Sequence, residues 1–301
     1  MVTGIHFLLT MMCNFECDHC FLYCGPKFEG TFTINQLKLV HAEMKKLGTI
    51  KMVYYEGGEP FLFYPLMQEG IRMSHEMGFK TGVVTNSYWA ISDEDAELWL
   101  KPLLDLGITD VSVSNDAFHH GKSEINPATR ALKALKKLGM SGDDICIQEP
   151  TVEFDKTQEK GDPVIGGGAM FRGRAVEKLI TDKLPRKPWE EFTECPYEEL
   201  MNPGRVHLDP FGNVHICQGL SMGNMWSTPL SELVKTYNAK THPICGPLVK
   251  GGPAELAREY QIDHKEDYVD ACHFCYMIRK ELLDRFPVYL APKQVYGLNQ
   301  S

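Results

Sequence analysis

The sequence predicts an α/β fold built on a parallel sheet, and three observations carry that expectation. Four segments end in an apolar-glycine pair, Leu47-Gly48, Met77-Gly78, Leu106-Gly107 and Leu138-Gly139, where a helix C-cap takes a positive φ. Each pair is followed within a few residues by a β-rich run: Lys51 to Tyr55, Lys80 to Thr85, Ile108 to Ser114 and Asp144 to Gln148. Between the runs lie apolar stripes at helical spacing, such as Leu37, Val40, Met44, Leu47 and Ala131, Leu132, Leu135, Leu138. Strands that alternate with helices are joined by right-handed crossovers, which makes the sheet parallel, either open or curled towards a barrel.

The elements follow in order. Ile5 to Thr10 is the first strand. Thr33 with Gln36 forms a capping box ahead of the first helix, and Pro65 and Pro127 suit first helical turns. Ser92-Asp93 starts the third helix, whose middle Pro102 weakens. Beyond about residue 150 the pattern breaks into Pro, Gly and charged residues up to Gly166-Gly167-Gly168, a loop or sixth-strand region leading to a helix near Arg172 to Ile180. Arg205 to Asp209 and Val214 to Cys217 read as a hairpin around Pro210-Phe211-Gly212-Asn213, followed by helical patterns at Leu230 to Tyr237 and Tyr276 to Arg285.

In a parallel α/β sheet ligands gather at the carboxyl ends of the strands. The residues there are Cys13, Cys17 and Cys20, then Glu56 to Pro60, Asn86-Ser87, Ser114-Asn115-Asp116 and Gln148-Glu149.

Composition narrows the function class. With 301 residues, 43% apolar and 24% charged, the chain has the make-up of a globular protein, and its net charge of −9 argues against nucleic acid as a partner. No run reaches the roughly 20 apolar residues that cross a bilayer, and no basic segment precedes the apolar start, so neither membrane nor secretion is expected and the location is cytoplasmic. Ten cysteines are the anomaly. In a reducing compartment their bunching points to metal or redox chemistry rather than disulfides.

Cys13, Cys17 and Cys20 stand as Cys-x3-Cys-x2-Cys. Three thiolates on one short loop suit one corner of a cubane and leave one iron of a 4Fe-4S cluster open. A zinc site completed by His19 or Cys24, or buried apolar thiols, is the alternative that spacing alone leaves open. About one βα unit later comes Gly57-Gly58-Glu59-Pro60. This pairing resembles the radical S-adenosylmethionine (radical SAM) superfamily.

The resemblance implies a partial (β/α)6 TIM-like barrel over residues 1–185. In it Cys13, Cys17 and Cys20 hold a 4Fe-4S cluster that binds S-adenosylmethionine (SAM), and Gly57, Gly58, Glu59 and Pro60 meet the SAM amino group. Ser114, Asn115 and Asp116 fall where family members hydrogen-bond the SAM ribose or carboxylate. Phe15 fits an aromatic position near the cluster or adenine, with core packing as the alternative. Arg172 and Arg174 are either partners of the SAM carboxylate or solvated residues at a helix start. The implied chemistry is reductive cleavage of SAM to a 5′-deoxyadenosyl radical that abstracts hydrogen, with an electron donor such as flavodoxin or ferredoxin as partner.

A second set, Cys195, Cys217, Cys272 and Cys275, resembles the SPASM/twitch-type module and implies one auxiliary 4Fe-4S cluster in a domain spanning residues 186–301. The gap from Cys195 to Gly212 leaves Cys245 as the substitute fourth ligand. Cys146, inside a predicted strand, reads as a buried structural thiol. The expected activity is that of an oxidoreductase or maturase acting on a peptide side chain or a small metabolite, with peptide modification first. A twitch-type alcohol dehydrogenase and a non-catalytic zinc-binding interaction protein are carried beside it. Candidate bases are His119, His120, Glu149 and Asp209, and none is singled out as the catalytic residue.

Overall fold

In the computed structural model, which describes residues 1–154 and 163–298, four βα units and a fifth strand run in the order the caps anticipate. β1 (Gly4–Thr10), β2 (Met52–Gly57), β3 (Lys80–Thr85), β4 (Asp110–Ser114) and β5 (Gly142–Ile145) alternate with α1 (Ile34–Leu47), α2 (Tyr64–Glu76), α3 (Asp93–Asp105), the one-turn α4 (Ala117–His120) and α5 (Pro127–Leu138). The local signals act as expected. Thr33 and Gln36 form the capping box of α1, Ser92 caps α3, and Gly48, Gly78, Gly107 and Gly139 all take positive φ. Pro102 is accommodated inside α3. The strands pair in parallel, β1 with β2, β2 with β3, β3 with β4 and β4 with β5.

Past β5 the outcome is more specific than a loop or sixth strand. β6 (Thr151–Phe154) and β7 (Pro163–Gly166) pair antiparallel in a small sheet of their own. The chain continues through α6 (Arg174–Lys178) and β8 (Lys187–Pro188) to a hairpin of β9 (Arg205–Leu208) and β10 (Asn213–Cys217), extended by β11 (Leu220–Asn224). The hairpin does not stand apart: β9 pairs in parallel with the free edge of β1, giving one eight-stranded sheet in the order β11-β10-β9-β1-β2-β3-β4-β5. A sixth parallel strand is thus present, supplied from the far end of the sequence at the β1 edge.

The chain then adds α7 (Leu230–Thr236), α8 (Cys245–Tyr260), β12 (Asp267–Tyr268), which pairs with β8, and α9 (Ala271–Glu281). α8 is absent from the sequence expectation because Gly251, Gly252 and Pro253 break its pattern, and its backbone is kinked there. A second correction concerns Cys146. It is exposed, because β5 ends before it and is itself an edge strand open to solvent.

Side chains alternate across the sheet. Phe7 of β1 and Tyr55 of β2 stack on each other, and Tyr55 hydrogen-bonds Ser74 of α2, so this face is the packed helix side. His6, Tyr54 and Glu56 therefore occupy the opposite face.

Candidate functional site

The loop after β1 is built by backbone contacts with the loop after β2. The Gly58 and Glu59 amides donate to the carbonyls of Thr10 and Met12 at 2.7 and 2.9 Å. A β-carbon on Gly58 would lie 1.9 Å from the Met12 carbonyl oxygen, so only glycine permits this approach. From the other side Arg174, buried, donates to the carbonyls of Cys17 and Cys24 at 2.9 and 2.7 Å, and its amide donates to Cys20 O. The loop is held as a rigid unit.

Cys13, Cys17 and Cys20 all line one cleft of about 280 Å³ at the carboxyl ends of the strands. Backbone amides of Phe15 and Cys24 point at the sulfurs of Cys13 and Cys20, each at 3.4 Å, and the Asn86 amide approaches Cys13 Sγ at 3.7 Å. A hydrogen bond from the Cys24 thiol draws the Cys20 thiol down to about 6, whereas burial pushes Cys13 up to about 12.

Of the other residues singled out from sequence, Gly57, Gly58, Ser114, Asp116, Phe15 and His119 line the same cleft. Glu59, Pro60 and Asn115 are not brought to it. The Glu59 carboxylate is fully buried and spent on the scaffold, accepting from Thr85 Oγ1 at 2.8 Å and from the amides of Asn86 and Phe61 at 2.7 and 3.0 Å. Burial raises it to about 7. Pro60 is buried at the start of the 3-10 turn that follows. Asn115 bonds Asn126 and Asp144 instead.

Among the candidate bases, Asp209 is sealed in a pair with His215 at 3.0 Å, His120 bonds the Ser114 carbonyl, and Glu149 is exposed. His119 bonds Asp116 at 2.8 Å. Asp116 Oδ2 and His19 Nδ1, on the cleft wall, are buried and have no protein partner.

A second, much smaller pocket gathers Cys195, Cys217, Cys272 and Cys275 from three separate stretches of chain. Cys245 lies outside it, fully buried at the start of α8. Asp270 caps α9 and sets Cys272 and Cys275 in its first turns. Neither reading of Arg172 from sequence survives: it is neither solvated nor turned to the first cleft. It donates to Cys217 Sγ at 2.8 Å and pairs with Glu198. Arg279, which no sequence signal marked, is buried beside it and reaches Cys217 at 3.9 Å. Two guanidinium groups thus lie against one sulfur.

Residues 7–152 match the family model described as the Radical SAM superfamily. That segment is a radical SAM domain. Among curated relatives of the domain, YydG of Bacillus subtilis (strain 168), named as a candidate peptide biosynthesis protein, is 23% identical over 111 residues, 37% of this chain and 35% of that protein. The S-adenosylmethionine-dependent nucleotide dehydratase of Fibrobacter sp. (strain UWH6) is 28% identical over 144 residues, 44% of this chain and 41% of that one. The chain thus spans about two fifths or less of the length of these relatives. Of solved structures, BtrN in complex with AdoMet and 2-DOIA is 16% identical, with a TM-score of 0.47 over 78% of this chain and 82% of that one. Radical SAM domains work with SAM and a 4Fe-4S cluster. No helix among the described residues is long and apolar enough to cross a membrane.

Proposed function

We propose that the first cleft binds a SAM-ligating 4Fe-4S cluster through Cys13, Cys17 and Cys20 and that the protein uses it to take hydrogen from a peptide. The observation that carries this reading is the convergence of those three cysteines, on a loop laced to Gly57-Gly58, upon one wall of an open cleft. The residues present fit the group. Three cysteines leave a fourth iron free, and among the described residues no three cysteine sulfurs lie within 4.8 Å of one another, whereas ligands of a single zinc ion sit closer, at about 3.7 Å. The unpartnered Asp116 Oδ2 and His19 Nδ1 offer an acceptor and a ring nitrogen to a polar ligand such as SAM. When bound, the cluster supplies the electron that cleaves SAM to methionine and the hydrogen-abstracting 5′-deoxyadenosyl radical.

The chain's own residues do the rest. Gly57 and Gly58 let the loop after β2 approach the cluster loop, Asp116 and Ser114 line the polar wall of the cleft, and His119 is a lining ring held by Asp116. Cys195, Cys217, Cys272 and Cys275 hold an auxiliary 4Fe-4S cluster in the second cavity, where Arg172 and Arg279 balance its negative charge. Residues 1–185 then make the SAM-cleaving unit and 186–301 the auxiliary unit, welded through the β9–β1 pairing.

A peptide is favoured as substrate by β5, which borders the cleft at Ile145 and, among the described residues, pairs only with β4. Its free edge can accept an extended chain. The relative named for peptide biosynthesis agrees with this. A small polar metabolite is the second reading, favoured by the relative named as a nucleotide dehydratase. A flavodoxin- or ferredoxin-type donor supplies the electron, and no nucleic-acid or membrane partner is proposed.

Replacing Cys13, Cys17 and Cys20 with Ala is expected to abolish dithionite-driven formation of 5′-deoxyadenosine while C-terminal iron remains. Continued SAM cleavage in that variant rejects the assignment, as does anaerobically purified protein without a visible charge-transfer band. Deuterium carried from labelled peptides or metabolites into 5′-deoxyadenosine separates the two substrate classes.

A further inference from the structure

Away from both groups of cysteines, three side chains on neighbouring strands converge on the face of the sheet opposite the Phe7–Tyr55 stack. His6 of β1 stands in register with His207 of β9, and Glu56 of β2 lies opposite Leu8, two residues further along β1 on the same face. Glu56 Oε1 is 3.3 Å from His6 Nδ1 and 3.2 Å from His207 Nε2. All three donor atoms fall within 4.8 Å of one another. From these observations we propose that His6, Glu56 and His207 bind a divalent transition-metal ion of the zinc class.

Ligand bonds of 2.0 to 2.2 Å at tetrahedral angles put neighbouring donors about 3.4 Å apart, close to the two spacings from Glu56 to the imidazoles, and the third pair lies within 4.8 Å. The alternative, a carboxylate hydrogen-bonded to two imidazoles, is poorly met. His6 Nδ1, despite its 3.3 Å approach, has no hydrogen-bond partner, as expected where lone pairs aim at a common point rather than at each other. Two imidazoles and a carboxylate are a donor set of zinc sites, and three protein ligands leave a position for water or another oxygen ligand.

The neighbours are consistent with a held cation. Tyr54 stacks on His6 at 5.0 Å and fixes the ring. The side chains are 14%, 19% and 7% exposed for His6, Glu56 and His207, buried yet reachable. Burial alone pushes the Glu56 carboxyl up, but the two histidines outweigh it and hold the group far below the usual range, as an anion. His207 Nδ1, on the other side of its ring, is buried and has no protein partner. The other compact set of donors, His19, Asp116 and His119, differs in that His119 and Asp116 make a true hydrogen bond at 2.8 Å.

Because Glu56 also lines the SAM cleft, the ion sits on the wall of the reaction chamber. The site itself does not depend on the reading of the cysteines, and its test is separate. Full-length protein, reconstituted anaerobically, is dialysed against Zn2+ alone, zinc is counted by mass spectrometry, and zinc-edge X-ray absorption reads the ligand type. The expected result is one zinc with a nitrogen and oxygen shell and no sulfur at about 2.3 Å. It is present in the wild type and in the Cys13/Cys17/Cys20→Ala variant, and lost in His6→Gln and in His207→Gln. Unchanged iron content and visible spectrum show that those variants are folded. Should they fail to fold, the shell of the wild-type zinc decides alone. Absence of bound zinc, a sulfur shell, or zinc kept in both histidine variants but lost on His119→Gln overturns the proposal.

Discussion

The two cysteine groups are assembled in opposite ways. In the first, all three cysteines come from one loop of eight residues, Cys13 to Cys20, and the fold's task is to hold that loop still. It does so with backbone, through Gly58 and Glu59 amides on one side and the Arg174 guanidinium on the other. In the second, Cys195, Cys217 and the Cys272/Cys275 pair arrive from distant segments, and the enclosing charges are side chains, Arg172 and Arg279. The first cavity, of about 280 Å³, borders an open strand edge, and the second, of about 20 Å³, is closely packed. A site that must admit substrate is built on a rigid loop beside space; a site that only holds a group can be enclosed by the pieces it joins.

The most direct attempt to break this comparison is Cys272→Ala with Cys275→Ala. The expected result is loss of about four irons, the content of one cubane, with 5′-deoxyadenosine formation still measurable. Loss of all iron would show that the two sites do not form independently.

Gly58→Ala probes the backbone lacing. Its β-carbon collides with the Met12 carbonyl, and a cost on the order of 3 kcal/mol or a displaced loop is expected. Denaturant titration gives the first, and iron lost only from the Cys13 group gives the second. The equivalent change at Gly48, where a β-carbon meets nothing within 4 Å, should leave the iron untouched.

Arg174→Met sharpens the same point from the other side. It leaves the carbonyls of Cys17 and Cys24 without their buried donor, with an expected loss of about 2 kcal/mol. A lower denaturation midpoint with weakened iron retention checks it, and a variant as stable as the parent would show that the arginine is dispensable.

The last effect is electrostatic, is spread over the pH range rather than felt at one pH, and belongs to the first site alone. Glu59 has an ordinary value of 4.5 and is raised to about 7 in the fold by burial. A raised folded value means that the associated stability is fully present below 4.5 and is lost as pH rises through 7, a change of about 3 kcal/mol at 1.36 kcal/mol per unit. Glu59→Gln should flatten the dependence of the denaturation midpoint between pH 4.5 and 8, measured by chemical unfolding. A slope equal to that of the parent would discard the account.

Much of this was legible in the chain because it is written locally. The glycine C-caps, the Thr33–Gln36 box and the apolar stripes depend on residues a turn apart, and they produced four βα units and a fifth strand in order. The short Cys13 to Cys20 loop and its glycine pair were legible for the same reason. Glu59 shows where local reading stops: its place in a motif marked it for a ligand, but its carboxylate turned inward to cap a turn and tie down β3.

What the sequence determined by itself is the alternating α/β pattern and the candidacy of the cysteines. What only the tertiary structure decided is which groups meet. That β9 joins β1, that Cys195 rather than Cys245 shares a cavity with Cys217, and that Arg172, Arg279 and the His6–Glu56–His207 trio converge are contacts between residues tens to hundreds of positions apart. Periodicity and capping act over a turn or two of chain, whereas burial and charge pairing act through space, so the second kind of order appears only once the sheet has closed on its far end.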